Sequence, residues 1–235
     1  MYSNQYFFSN KTINQYSQNQ YWYFANSLFG YICALYSSID IYNYMLNIFR
    51  RYQVGITHDD KVIYWQCDAN GHCRAAKLIE YDTNGKSINS HWHYAHPSYN
   101  TSPPDRLPFG LHLLAKHPLD ASIVVVESEK SALLGATYNL HYLRNDTRLP
   151  LFIATGSADI VTTLKHLQGR NVTLFPGDNN TEEWLRIARD HSSLVNSIEV
   201  NAMVRYFTEQ KVIKPGGEYS DLITAMRQHE LRKFI

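Results

Sequence analysis

The sequence predicts an α/β protein: a mostly parallel sheet with flanking helices, preceded by an aromatic-rich helical segment and a small antiparallel β unit. Three observations predict it. Ile123-Val-Val-Val126 is a continuous β-branched run, the signature of a strand buried on both faces of a parallel sheet. Strand–loop–helix units then alternate from Asp120 onward, which favours parallel pairing. Before that, two turn signals, Asp68-Ala-Asn-Gly71 and Asp82-Thr-Asn-Gly85, separate short β-prone runs in the manner of hairpins.

In chain order, the spacing of Phe24, Leu28 and Tyr31 predicts a helix over 17–29. That of Ile41, Met45, Leu46 and Phe49 predicts a second over 39–53. Arg50 and Arg51 fall at its carboxyl end, where the helix dipole favours cations. Between Lys11 and Asp40 the chain carries no charge, but Asn26, Ser27, Gly30, Ser37 and Ser38 interrupt the run, which argues against a membrane span of about 20 apolar residues. Strands are expected at 61–66, 75–81 and 90–94, and the Pro-bearing stretch from Pro97 to Pro108 reads as a boundary loop. Beyond it, strands are expected at 123–126, 151–154, 172–175 and 197–200. The intervening helices begin near 131, 159 and 181, and a last one covers 219–230. The expected organisation is 1–54 helical, 55–118 antiparallel β with the loop, and 119–235 α/β.

With 22 Lys and Arg against 21 Asp and Glu, the 235-residue chain has a net charge of +1. No global basic field advertises nucleic acid, so such a partner must be held by a local patch. Lys130, Arg144, Arg148 and Arg170 are the expected cations of that patch. Cys33, Cys67 and Cys73 match neither a disulfide framework nor a CxxC zinc site, so a reduced, cytoplasmic setting is expected. Met1 is followed by no basic region or cleavage pattern of a secretory signal. His91 and His93, two apart on a strand, face one side, and His96 lies close by. No carboxylate or cysteine stands at a convincing spacing beside them, so half-buried or surface histidines are the better reading than a metal cluster.

In a parallel α/β sheet the functional groups sit at the carboxyl ends of the strands. Those ends carry Glu127, the Thr155-Gly156-Ser157 turn and Asp178. Glu127 and Asp178 on adjacent strand ends can supply two carboxylates to Mg²⁺, which takes one or two carboxylates with waters and substrate phosphate; Glu129 stands near. Gly156 reads as a tight turn, and an exposed glycine turn beside a helix start also receives phosphate. Asn180 followed by Glu183 fits a helix N-cap, and Asp221 reads as a solvated helix start.

A strand ending in Val125-Val-Glu127, a second ending in Thr155-Gly156 and a third ending in an Asp-containing turn resemble the Toprim domain of bacterial primases, topoisomerases and small nucleases. The similarity is closer to primase-like Toprim proteins of bacterial mobile elements and phages. It rests on Val126-Glu-Ser-Glu-Lys-Ser-Ala132, Phe109-Gly-Leu-His-Leu-Leu114, Ala154-Thr-Gly156, Leu174-Phe-Pro176 and the Tyr64-Trp-Gln66 hairpin. The resemblance implies a Rossmann-like sheet, with Glu127 as general acid/base and Asp178 as metal ligand. Asn179 or Asn180 would be neutral helpers. From their own chemistry and placement, Lys130, Gly156, Ser157 and Arg170 are the expected phosphate contacts. The resemblance further implies Mg²⁺ or Mn²⁺ as cofactor, nucleic acid as partner (DNA rather than RNA), and a helicase or other replication protein beside it. Two departures stand out. The cysteine-rich zinc ribbon of larger relatives is absent, so no zinc is expected, and the Asp-x-Asp of the pattern reads Asp178-Asn-Asn180. The resemblance therefore leaves two functions open, phosphodiester chemistry or a non-catalytic binding scaffold.

Overall fold

The computed structural model describes residues 6–36, 40–101, 103–142 and 149–232. The chain divides into two compact units, 1–115 and 116–235.

The first unit opens with four helices: α1 (Asn10–Ser17), α2 (Gln20–Ala25), α3 (Ser27–Ala34) and α4 (Ile41–Arg51). The single helix expected over 17–29 is two helices. Asn26 sits between them in an extended conformation, its Oδ1 accepting from the Phe29 N–H at 3.0 Å and its Nδ2 donating to Asp60 Oδ1 at 2.6 Å. An Asn side chain competes with the backbone in this way and starts a helix rather than continuing one. The break re-registers the apolar face: Tyr23 is fully buried, whereas Phe24, expected inside, is half exposed. Tyr23, Leu28, Phe29, Ile32, Ile41, Met45 and Phe49 form the helical core. Among the described residues no helix is long and apolar enough to cross a membrane.

Four antiparallel strands follow in sequential order: β1 (Gly55–Ile56), β2 (Val62–Cys67), β3 (Cys73–Tyr81) and β4 (Ser87–Tyr94). Both expected turns are closed by their aspartates. Asp68 Oδ1 accepts from the N–H groups of Asn70 and His72, and Asp82 Oδ1 from those of Asn84 and Lys86. One sheet face packs Ile63, Trp65, Ala76 and Leu78 against Ile13 of α1. The same cluster holds Cys67 and Cys73, which the structure joins as a disulfide, contrary to the expectation of three unpaired thiols. A bulge at Gln66/Cys67 sets the two opposite each other, a register that spacing alone does not reveal. Cys33 is free and buried.

His91 and His96 are half-buried and His93 is exposed, and the His91 and His93 rings share a face with centroids 5.5 Å apart. On the other face Trp92 stacks with Tyr94 under the Arg106 guanidinium, which lies 3.6 Å from the Trp92 ring centre. His96 stacks on Tyr6 at 3.7 Å and accepts from the Ser98 N–H.

The second unit alternates β5 (Ile123–Val126), α5 (Glu129–Tyr142), β6 (Leu151–Ala154), α6 (Ile160–His166), β7 (Asn171–Phe175), α7 (Thr181–Asp190) and β8 (Ser197–Val200). It closes with α8 (Met203–Glu209) and α9 (Tyr219–Arg232). The expected α/β class holds. All strand pairs are parallel in the order β6-β5-β7-β8, with every residue of β5 and β6 buried and β8 a half-exposed edge. α8 has no counterpart among the expected elements; Asn201 Oδ1 accepts from its Met203 N–H at 3.0 Å, and Tyr206 faces solvent. The chain runs from β5 to β6 on one side, then returns to place β7 on the other side of β5. The strand order therefore reverses between β5 and β7. Open α/β sheets form their ligand crevice at such a point, beyond the carboxyl ends of the strands.

Candidate functional site at the strand ends

Glu127 stands at that reversal. β5 ends at Val126, and Ser128 caps the following helix by accepting from the Ser131 N–H at 3.1 Å, so Glu127 is the single residue between strand and cap. Its Oε1 accepts from the Gly177 N–H at 2.7 Å and from Asn180 Nδ2 at 2.9 Å, both on the turn that leaves β7. Its Oε2 has no hydrogen-bond partner among the described residues. A Cβ on residue 177 would lie 2.9 Å from Oε2 and 3.1 Å from Oε1, so only glycine admits the carboxylate this close to the backbone. The carbonyl of Glu127 accepts from the Gly156 N–H and the Thr155 hydroxyl, which locks the end of β6 to the same corner.

The β7 exit is a short 3-10 turn, Asp178–Asn180, leading into α7. Asp178 Oδ2 accepts from the Gly216 N–H at 3.1 Å, and its own N–H donates to the Gly217 carbonyl at 3.0 Å. The turn is thus pinned to the 214–217 loop ahead of α9, a loop that no sequence motif singles out. Asn179 is exposed. Asn180 occupies the N-cap position of α7 but makes no capping bond. Its side chain goes to Glu127 instead, which corrects the capping expectation.

Around this corner, Glu129 is buried at 1% exposure and lies against the Gly156 turn, where a Cβ on residue 156 would meet its Oε1 at 2.7 Å. Gly156 has φ +59°, as a tight turn requires, and Ser157 beside it is exposed. Lys130 is half-buried, 3.9 Å from Glu218 Oε1. Glu218 also accepts from the hydroxyls of Ser131 and Ser220, joining the starts of α5 and α9. Asp221 Oδ2 accepts from the Glu218 N–H at 2.9 Å, the carboxylate half of a capping box, so it serves the helix start as expected. Arg170 is not brought to the site. It precedes β7, at the opposite end of the strand, and its buried guanidinium donates to the carbonyls of His117 and Pro118. Arg144 and Arg148 lie outside the described residues.

A cleft of about 460 Å³ opens from Glu127 between the 155–161 segment and α7, with Gly156, Asp159, Asn180, Trp184 and Arg186 in its walls. Asp159 caps α6 through the Thr162 N–H, and the hydrogen bonds from Thr162 hold its carboxyl below the usual range. The same walls bring the side chains of Glu127, Asp159 and Glu183 together with those of Arg186 and His191.

Residues 26–178 match the model of a family described as a domain of unknown function, DUF6371. The chain belongs to this family. No curated protein matches the DUF6371 chain in sequence. Among solved structures it is similar to the E. coli primase catalytic core, at TM-score 0.50 and 14% identity over 91% of this chain and 74% of that one. A DnaG primase catalytic domain bound to ssDNA follows at TM-score 0.47, 13% identity, 92% of this chain and 79% of that one. The primase fragment of the bacteriophage T7 primase-helicase protein gives TM-score 0.42 and 14% identity over 77% of this chain. The DUF6371 chain spans 65% of that fragment, a little under two thirds. The E. coli likeness shows the fold alone, a Toprim-like α/β unit with a parallel four-stranded sheet.

Proposed function

We propose that the chain is a primase-like protein of replication that binds nucleic acid, DNA rather than RNA, at the carboxyl ends of β5, β6 and β7. The observation that carries this reading is Glu127, held at the reversal of strand order by two donors on one oxygen with the other left open. Shared fold with a primase core supports it at the level of architecture alone.

The donor set fits a divalent ion. Glu127 Oε2 and Asp178 Oδ1 are hard oxygens with no protein partner among the described residues. Mg²⁺ or Mn²⁺ held by one or two carboxylates, waters and substrate phosphate matches that supply. Bound there, the ion would neutralise phosphate and stabilise charge developing on a transferred phosphoryl group. The chain's own residues supply the rest. Gly177 N–H and the Asn180 amide orient the Glu127 carboxylate through Oε1, so that Oε2 is left for the ion. Asp178, anchored by Gly216, keeps its second oxygen toward the ion, and Lys130 with the Gly156-Ser157 turn receives phosphate. A helicase or other replication protein is the expected partner. A second reading, a binding module without catalysis, is favoured by Asn180, which puts an amide where another acid would strengthen the metal site.

The test is fluorescence anisotropy with labelled single-stranded DNA. Binding at low salt that strengthens with Mg²⁺ and falls steeply as salt rises is expected, because each neutralised phosphate releases condensed counterion. The matching RNA is expected to bind more weakly. No binding at low salt, with or without Mg²⁺, overturns the reading.

A further inference from the structure

We infer that Asn180 is the positioning residue that sets the cation demand of this corner: its amide holds Glu127 in place without an ion, where an acid at the same position would require one. The inference rests on the proposed metal site for its second half only, since the clamp itself is a contact between two side chains.

Asn180 Nδ2 donates to Glu127 Oε1 at 2.9 Å. The amide orientation follows from chemistry, because the flipped group would set oxygen against oxygen. Asn at an N-cap ordinarily turns its oxygen to the first helical N–H groups, and here it makes no such bond. The side chain has given up its local partner for one 53 positions away in the sequence. Aspartate has the same shape. In the same rotamer it would put a second carboxylate oxygen within contact distance of Oε1, and the pair would repel unless a cation or proton stood between them. Asn180 removes that need. The corner therefore stays ordered when empty and accepts an ion through the two open oxygens.

The experiment compares thermal midpoints of the full chain in EDTA and in excess Mn²⁺, with calorimetric Mn²⁺ titrations. Asn180→Asp is expected to melt lower than wild type in EDTA and to recover on adding Mn²⁺. It should bind the ion about tenfold tighter, as one added charge a few ångströms away would give. Asn180→Ala should also melt lower in EDTA and gain no more from Mn²⁺ than wild type does. The exchange Glu127→Gln with Asn180→Asp removes one of the two facing charges while keeping an oxygen for the Gly177 N–H, and should recover part of what Asn180→Asp alone loses in EDTA. A general packing role for residue 180 does not predict that rescue. If Asn180→Asp fails to fold, the Asn180→Ala arm and the exchange still decide. Midpoints in EDTA that match wild type in Asn180→Asp, or an exchange with no rescue, overturn the inference. Wild type that binds neither Mn²⁺ nor DNA defeats the proposed function instead, while the EDTA arms continue to report on the clamp.

Discussion

Phe152→Ala is expected to destabilise the parallel α/β unit by about 3–5 kcal/mol, the range for deleting a fully buried aromatic ring. Phe152 lies on β6 at 2% exposure, with its ring in the space a side chain at Gly135 of α5 would need. Tyr219 at the start of α9 closes the other side, its ring centre 5.8 Å away. Gly135 has no side chain to fall into the cavity, and β6 is tied to β5 in register along its length, so collapse is limited. Denaturant unfolding followed by circular dichroism measures the loss. A shift below about 1 kcal/mol would mean that the helix–sheet packing is not as described.

The second large effect concerns metal. An ion that binds only the folded state stabilises it by RT ln(1 + [L]/Kd), about 2.7 kcal/mol at a hundredfold excess over Kd. Wild type is therefore expected to gain thermal stability in Mn²⁺. Glu127→Gln keeps the shape and an oxygen for the Gly177 N–H but removes the charge, so most of the gain should vanish. Asp178→Asn should act in the same direction, since the Gly216 N–H can still find its oxygen. In EDTA both variants should melt close to wild type. A Glu127→Gln protein that gains as much from Mn²⁺ as wild type would remove Glu127 from the ion's coordination.

Much of the fold is legible because the signals are local. Ile123–Val126 announces a buried strand by composition, and Asp68 and Asp82 announce their turns by the bonds their own carboxylates make a few residues on. Glu127 is legible for a related reason: a strand end is visible in sequence, and strand ends are where α/β sheets work. What escaped depends on partners remote in sequence. Asn26 reads the same whether it lies within a helix or starts one, until Asp60 engages its amide. Cys67 and Cys73 meet only through a bulge. Arg170 looks like a phosphate contact until the carbonyls of His117 and Pro118 claim it. Asn180 carries the pattern of a cap, and its choice of Glu127 over its own helix is settled by the order in which β5 and β7 lie side by side. The 214–217 loop enters the site by backbone groups alone, which leave no mark in a sequence.

The most direct measurement is an anomalous difference map from a crystal of the protein soaked in Mn²⁺. A peak between the Glu127 and Asp178 carboxylates, within coordinating distance of both open oxygens, is the predicted result. A fully soaked crystal with no peak there, or with Mn²⁺ only at exposed histidines, would contradict the account.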